Sequence, residues 1–448
     1  MADRLVVVGG DAAGMSAASQ ARRLRPDLEI VALERSGHVS YSACGEPYYV
    51  GGLVTDLDRL VARTPSEFAE RNIEVRLHYE VKEIDLDRRV VVAYSLQGKD
   101  TLTLGFDQLM YSTGSAPLRP PDVSGIDHPN VYGLRTLEDA VLLRSEAVRG
   151  EGSAVIVGGG YIGIEVAEAL VDRGWRVTMV TSGDHVLERT LDDQMGSLAD
   201  RAVRNYGVEL LTQSRVTHIK HQDGRQLVGG DSFAVDSDLT VIGLGAGPEV
   251  ALARAAGIDL GPTGAVAVDD RQATNVEGVW SAGDCAEARN RITGRPINIL
   301  LGTVANKTGR IAGTNIGGGE AHFPGVLGTA ITKIGTTEIA RTGLKVKEAR
   351  VAGFTPVVGI ARGTTTAGYW PEAEPVTVMV IADRDQGRLL GGQVVGGRGA
   401  GKRIDVLATA IWTGMTAEEL AWVDLSYAPP FSGVWDIIHI AARRAAGA

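Results

Sequence analysis

A short apolar strand, a glycine-rich turn and a helix occur twice in this chain. Leu5 to Val8 runs into Gly9-Gly10-Asp11-Ala12-Ala13-Gly14 and a helical stretch, Met15 to Arg25, that Pro26 stops. The next apolar run, Glu29 to Leu33, ends in Glu34. Ala154 to Val157 runs into Gly158-Gly159-Gly160-Tyr161-Ile162-Gly163, a helix through Val171 and a further run at Val177 to Val180. Gly158 follows Gly9 by 149 residues. Continuous β-branched runs flanked by glycine read as buried parallel strands. Strand–turn–helix–strand is a βαβ unit, and two such units predict an α/β chain with two Rossmann-like nucleotide-binding lobes. Pro117-Leu118-Arg119-Pro120-Pro121 reads as the linker between them. After about Gly325 no third fingerprint occurs. Strands such as Val376 to Ile381 and Leu389 to Val395 precede late helix signals, which predicts a third, α+β domain over 325–448.

In the first loop Gly9 permits a tight turn and Gly14 a close helix–strand contact, so loop amides and helix N-terminus can hold a pyrophosphate. Asp11 occupies the place of the middle glycine, so close approach there relies on its small neighbours Gly10 and Ala12. Glu34 lies 20 residues past Gly14, where an acid bonds ribose hydroxyls. The second loop is intact at Gly158, Gly160 and Gly163. Thr181 takes the position corresponding to Glu34, with Ser182 next. An acid there would repel a 2′-phosphate and two hydroxyls do not, which leaves both NADH and NADPH open.

The remaining composition mostly excludes. The charge balance is 45 basic to 55 acidic residues, net −10, without a basic block. That argues against nucleic acid and anionic membrane as partners. Two cysteines rule out a disulfide framework and a four-cysteine zinc site, and no metal is expected. No signal peptide or uncharged apolar run long enough to span a bilayer is expected, and the default compartment is a reducing cytoplasm.

Ser40-Tyr41-Ser42-Ala43-Cys44-Gly45-Glu46-Pro47 carries the candidate reactive sulfur. Cys44 has no second cysteine nearby in sequence. A helix starting near it is expected to favour the thiolate, the form that attacks disulfides. Free cysteine is also among the most buried residue types, and an inert thiol is the bland alternative. Cys285 reads as structural. Arg22, Arg23 and Arg25 form a basic cluster suited to phosphates; cations also simply favour a helix C-terminus. Thr113-Gly114 and Ala282-Gly283-Asp284 end two further segments. A Gly-Asp at a strand end can set its carboxylate on a polyol, though Gly-Asp is by itself a common turn.

The order of glycine loop with Glu34, Thr113-Gly114, second loop and Ala282-Gly283-Asp284 resembles the FAD-dependent pyridine nucleotide–disulfide oxidoreductases along essentially the whole chain. The resemblance implies an FAD-binding domain in two parts, 1–115 and 249–324. It implies an NAD(P)H-binding domain over 116–248 and a dimerisation domain over 325–448, hence a homodimer. FAD is then expected on the first loop, with Asp284 at the ribityl chain and Ala305 at a helix start facing the flavin pyrimidine. NAD(P)H is expected on the second loop, with Tyr161 over the flavin and Glu165 near it. Arg35, Val81, Ile162 and Gly245 complete the expected cofactor-binding set. The single cysteine resembles the branch of coenzyme A-disulfide reductases, NAD(P)H sulfur reductases, NADH oxidases and peroxidases. Oxidases and peroxidases carry a histidine in the first loop, where this chain has Ala12. Ser19-Gln20-Ala21-Arg22-Arg23 resembles the coenzyme A-disulfide group and implies substrate contacts from Gln20, Arg23, Ser40 and Ala43. Tyr369 and Tyr427 resemble two tyrosines that give a proton to the departing thiolate, Tyr427 reaching across the dimer. Ala43 where asparagine is frequent, Phe431 where tyrosine is frequent, and no rhodanese-like domain after Ala448 are departures that bear on the substrate. Polysulfide reduction, NADH oxidation, and an electron-transfer flavoprotein with Cys44 silent are the alternative expectations.

Overall fold

In the computed structural model, which describes residues 3–447, each glycine loop leaves the centre of a parallel sheet. The first sheet has strand order Val279–Ser281, Gln108–Tyr111, Arg4–Val8, Glu29–Glu34, Ile73–Leu77, all parallel. Leu5, Val6 and Val7 are fully buried, as a strand covered on both faces requires. The second sheet runs Glu209–Leu211, Arg176–Val180, Ser153–Val157, Leu239–Ile242, Val131–Tyr132. Each lobe also carries a three-stranded antiparallel sheet.

The chain returns to the first lobe at Val279–Ser281 and then forms the helix Gly302–Ile316. That helix lies along the first-loop helix, Ala12–Leu24, through small residues. A Cβ on Gly309 would meet the Ala13 backbone, and one on Gly313 the Ala17 backbone. The first-loop helix begins at Ala12, three residues before the apolar periodicity suggests, because Asp11 already has extended, cap-like geometry.

The C-terminal domain is a five-stranded antiparallel sheet in the order Ala330–Ile334, Thr337–Gly343, Leu389–Gly396, Pro375–Asp383, Pro356–Thr364. Arg403–Thr413 and Ile437–Ala446 bury Ile404, Leu407, Ile438 and Ala441 against it. Its edge strand, Ala330–Ile334, reaches the second-lobe helix Tyr161–Asp172. Among the described residues no helix is long and apolar enough to cross a membrane.

Candidate active site

Both glycine loops need their glycines. Gly9 has φ +99°, and a Cβ on it would collide with the Ser112 carbonyl; Gly158 has φ +117° and faces the Gly243 carbonyl in the same way. A Cβ on Gly14 or Gly163 would strike the carbonyl of Gly9 or Gly158. Neither following helix has a side-chain cap at Asp11 or Gly160, whereas Thr64, Thr136 and Thr416 form capping boxes elsewhere. The first-turn amides therefore keep their hydrogen-bonding capacity for an anion. These cradles fit two dinucleotides.

Asp11 turns away from its own helix and accepts from the Tyr41 amide at 3.2 Å. Burial, with Glu34 adding, raises its carboxyl to about 6 against the opposing Tyr41 bond and Arg135. Glu34 takes the Gly10 amide and the Ser36 amide, each at 2.8 Å. Arg35 beside it is exposed. Val81 lies half-buried in a β-hairpin opposite Ala93 and next to a bulge.

Asp284 follows the Val279–Ser281 strand through Gly283, whose φ of +83° suits glycine. A Cβ there would come within 2.9 Å of the Ala13 Cβ and 3.6 Å of the Ala305 Cβ. First loop, Gly-Asp turn and the Ala305 helix thus converge. Ser115 donates to Asp284 Oδ2 at 2.9 Å and Arg135 at 3.1 Å. Thr113 donates its hydroxyl to the Glu249 carbonyl and Gly114 adopts φ +73°. Sequence reasoning missed Arg135. Its signal was a lone cation immediately before the capping box Thr136-x-x-Asp139.

Cys44 sits in a short 3-10 turn, Ala43–Gly45, ahead of the helix Glu46–Gly51. It is exposed, and Cys285 is buried with its sulfur against the carbonyls of Ala282 and Tyr111. The expected helix is there, but the thiol is pushed up, not down. Partial desolvation is the main cause, and the carboxylates of Glu165, Glu46 and Asp284 add to it. One six-residue helix supplies about 0.3–1 kcal/mol at most, too little against three like-signed neighbours. Two of those neighbours belong to different lobes: Asp284 follows the first-lobe strand Val279–Ser281 and Glu165 lies on the second-lobe helix. Burial raises Glu165 as well, while Thr332 of the C-terminal domain donates to its Oε1 at 2.9 Å. Lys333 pairs with Glu168 on the same helix. Neither contact had a local signal.

Tyr161 is half-buried, its phenol raised by burial and eased by Arg341 and Thr190. Ile162 is likewise half-buried, and Gly245 has φ +95° with open space around it. Thr181 and Ser182 stand at the strand end as expected, but a carboxylate comes from further on: Glu188 folds over Gly183, where a Cβ would strike its Oε2.

The arginine cluster is dispersed. Arg22 donates to the carbonyls of Pro26 and Asn72, and Arg25 pairs with Asp3 and Asp27. Arg23 is exposed, and among the described residues it makes one long side-chain contact, to Gln20 at 3.4 Å. Ser40 has φ +50°, its amide donating to the Gly10 carbonyl at 3.0 Å. Ala43 is half-buried next to Cys44. Tyr369 and Tyr427 are exposed neighbours; among the described residues no hydrogen bond joins either to Cys44.

Two dinucleotide cradles on separate parallel sheets are the arrangement of an oxidoreductase that binds two nucleotides. The chain belongs to the pyridine nucleotide-disulphide oxidoreductases: that family's profile matches residues 3–305, and the family's dimerisation domain matches residues 329–437. The family uses FAD and NAD(P)H. An NAD(P)H sulfur oxidoreductase (CoA-dependent) of Pyrococcus abyssi is 37% identical, over 98% of this chain and 97% of its own length. A coenzyme A disulfide reductase of Staphylococcus epidermidis is 27% identical, over 99% of this chain and 100% of its own. The structure of a NAD-dependent persulfide reductase from A. fulgidus superposes with TM-score 0.94 at 37% identity, covering 99% of this chain and 83% of that one.

Proposed function

We propose that this protein is a homodimeric FAD-dependent NAD(P)H reductase. It reduces coenzyme A disulfide, or a related low-molecular-weight disulfide or persulfide, through Cys44. The observation that carries the reading is an exposed thiol that feels the carboxylates of Asp284 and Glu165, one from each lobe. Residues 1–115 with 249–324 form the FAD-binding domain, 116–248 the NAD(P)H-binding domain and 325–448 the dimerisation domain. The pairing of Val279–Ser281 with Gln108–Tyr111 supports this division.

The first loop, Glu34, Thr113-Gly114, Asp284 and Ala305 hold FAD; the second loop, Tyr161, Glu165, Thr181 and Gly245 hold the pyridine nucleotide. When bound, these cofactors supply an electron pair to sulfur. Cys44, freed as a thiolate when its resting mixed disulfide is reduced by that electron pair, would attack one sulfur of the substrate disulfide, re-form a mixed disulfide and release one thiolate. Tyr369 and Tyr427, the latter reaching across the dimer, provide the proton for that thiolate. Exposed Trp422, Phe431, Val434 and Trp435 give the C-terminal domain an apolar face suited to the dimer. Arg23 is the arginine of its cluster left free for a coenzyme A phosphate. A reducing cytoplasm suits an exposed thiol. Ala12 argues against an NADH oxidase that needs an imidazole beside the sulfur.

The test is Cys44→Ser with anaerobic reductive titration. The expected variant keeps its flavin and takes up two electrons fewer per subunit. An unchanged capacity would instead mark an electron-transfer flavoprotein with a silent cysteine. Native mass spectrometry identifies the substrate class through any thiol carried on Cys44.

A further inference from the structure

Tyr369 is 75% exposed and Tyr427 46% exposed, so packing does little to fix either ring. Tyr369 lies on the loop between the strands Pro356–Thr364 and Pro375–Asp383, and Tyr427 on the irregular segment that leads to the helix Ile437–Ala446. An exposed side chain on irregular backbone is placed by the hydrogen bonds of that backbone. The two segments touch where the Ala367 amide donates to the Pro429 carbonyl at 2.9 Å, two residues from each tyrosine. Both also converge on one side chain. Arg403 opens the helix Arg403–Thr413, and its Nη2 donates to the Thr365 carbonyl at 2.7 Å and to the Phe431 carbonyl at 3.0 Å. Its Nη1 donates to the Gly399 carbonyl at 3.0 Å, and its Nε pairs with Asp436 Oδ2 at 3.1 Å. The Arg403 and Asp436 side chains are each 11% exposed. Asp436 uses its other oxygen to cap the last helix at the Ile438 amide, 2.9 Å away.

A guanidinium is planar and donates in fixed directions, so acceptors that share one are held at a fixed angle to each other. We propose that Arg403 is a positioning residue for disulfide reduction: it locks the Tyr369 and Tyr427 segments into one unit, so that both phenols are presented to the same departing thiolate. The inference rests on the reading that these tyrosines are the proton donors, and adds what holds them in place. In that step a phenol O–H bond breaks, an S–H bond forms on the departing thiol, and the phenolate regains a proton from water. The transfer needs the two heavy atoms about 2.6–3.2 Å apart. A loop that drifts by an ångström loses that distance while the fold around it stands. Electron transfer from the pyridine nucleotide involves neither tyrosine, so Arg403 acts on one half of the reaction alone.

The experiment follows the two half-reactions of the holoenzyme by flavin absorbance after rapid mixing: reduction by NADH, then reoxidation by coenzyme A disulfide. Arg403→Lys keeps a cation opposite Asp436 but cannot fork to both carbonyls. It is expected to slow the disulfide step about tenfold and to leave reduction by NADH unchanged. Arg403→Gln combined with Asp436→Asn removes both charges together, leaves no lone buried charge, and is expected to give the same split. Tyr369→Phe with Tyr427→Phe is expected to slow the disulfide step about a hundredfold, and adding Arg403→Lys to that pair is expected to slow it no further. An Arg403→Lys enzyme with a wild-type disulfide step, one slowed equally in both half-reactions, or one whose effect multiplies with that of the tyrosine pair overturns the proposal. A tyrosine-pair variant as fast as wild type shows instead that the proton-donor reading has failed, and the role of Arg403 falls with it. Failure of the cysteine reading is seen separately, in the electron count of Cys44→Ser.

Discussion

Thr332, on the edge strand of the C-terminal domain, donates its hydroxyl to Glu165 on the second-lobe helix at 2.9 Å. The bond favours the charged carboxylate and so holds Glu165 below where burial alone would set it. Thr332→Val removes the donor and keeps the shape. The expected loss is about 1 kcal/mol of stability, read as a lower Tm. Glu165 then titrates higher, and any limb of the flavin-reduction pH profile that depends on it moves to higher pH.

Arg135 compensates Asp284, whose side chain is 14% exposed. Arg135→Met leaves that carboxylate partly buried and without its cation, at a cost of about 3 kcal/mol in a buried setting and less here because Arg135 is part-exposed. The purified variant is expected to carry less flavin per protein, measured by absorbance, and to melt earlier.

The carboxylate of Glu188 over Gly183 places negative charge beside the strand end that carries Thr181 and Ser182. A 2′-phosphate is repelled there and a ribose hydroxyl is not. NADH is expected to reduce the enzyme with higher kcat/KM than NADPH, and Glu188→Gln to narrow the ratio by roughly tenfold, or about 1.4 kcal/mol. Equal rates with both nucleotides in wild type would remove Glu188 from this role.

Cys44 titrates above an ordinary thiol because of partial desolvation and the carboxylates of Glu165, Glu46 and Asp284. A raised thiol is mostly protonated at neutral pH, so alkylation is slow there and accelerates only in the alkaline range. Glu165→Gln removes one negative neighbour and is expected to shift the iodoacetamide rate profile of the flavin-free protein to lower pH.

Gly309 lets the Gly302–Ile316 helix touch the first-loop helix at Ala13. Gly309→Ala must push the helices apart. The expected cost is about 1–3 kcal/mol, seen as a lower Tm together with weaker flavin retention.

Much of this was legible in sequence because it is local. Gly9 and Gly14, Gly158 and Gly163, and Glu34 owe their places to chain geometry over a few dozen residues, and period and spacing report that directly. The C-terminal strands read for the same reason: Pro375–Asp383 and Leu389–Gly396 are buried along nearly their whole length. The arginine cluster misled because three cations in one helical turn look alike in sequence. Only packing takes Arg22 to the Asn72 carbonyl and Arg25 to Asp3.

The sequence by itself determined two dinucleotide lobes, a third domain and one candidate sulfur, since strand periodicity and glycine turns are written in neighbouring residues. The tertiary structure decided the electrostatics around that sulfur. Asp284 and Glu165 come from distant segments to act on Cys44 together with its own neighbour Glu46, Arg135 compensates Asp284, and Thr332 reaches in from another domain. Charge acts through space over several ångströms, so a thiol's proton affinity depends on which distant side chains folding brings beside it.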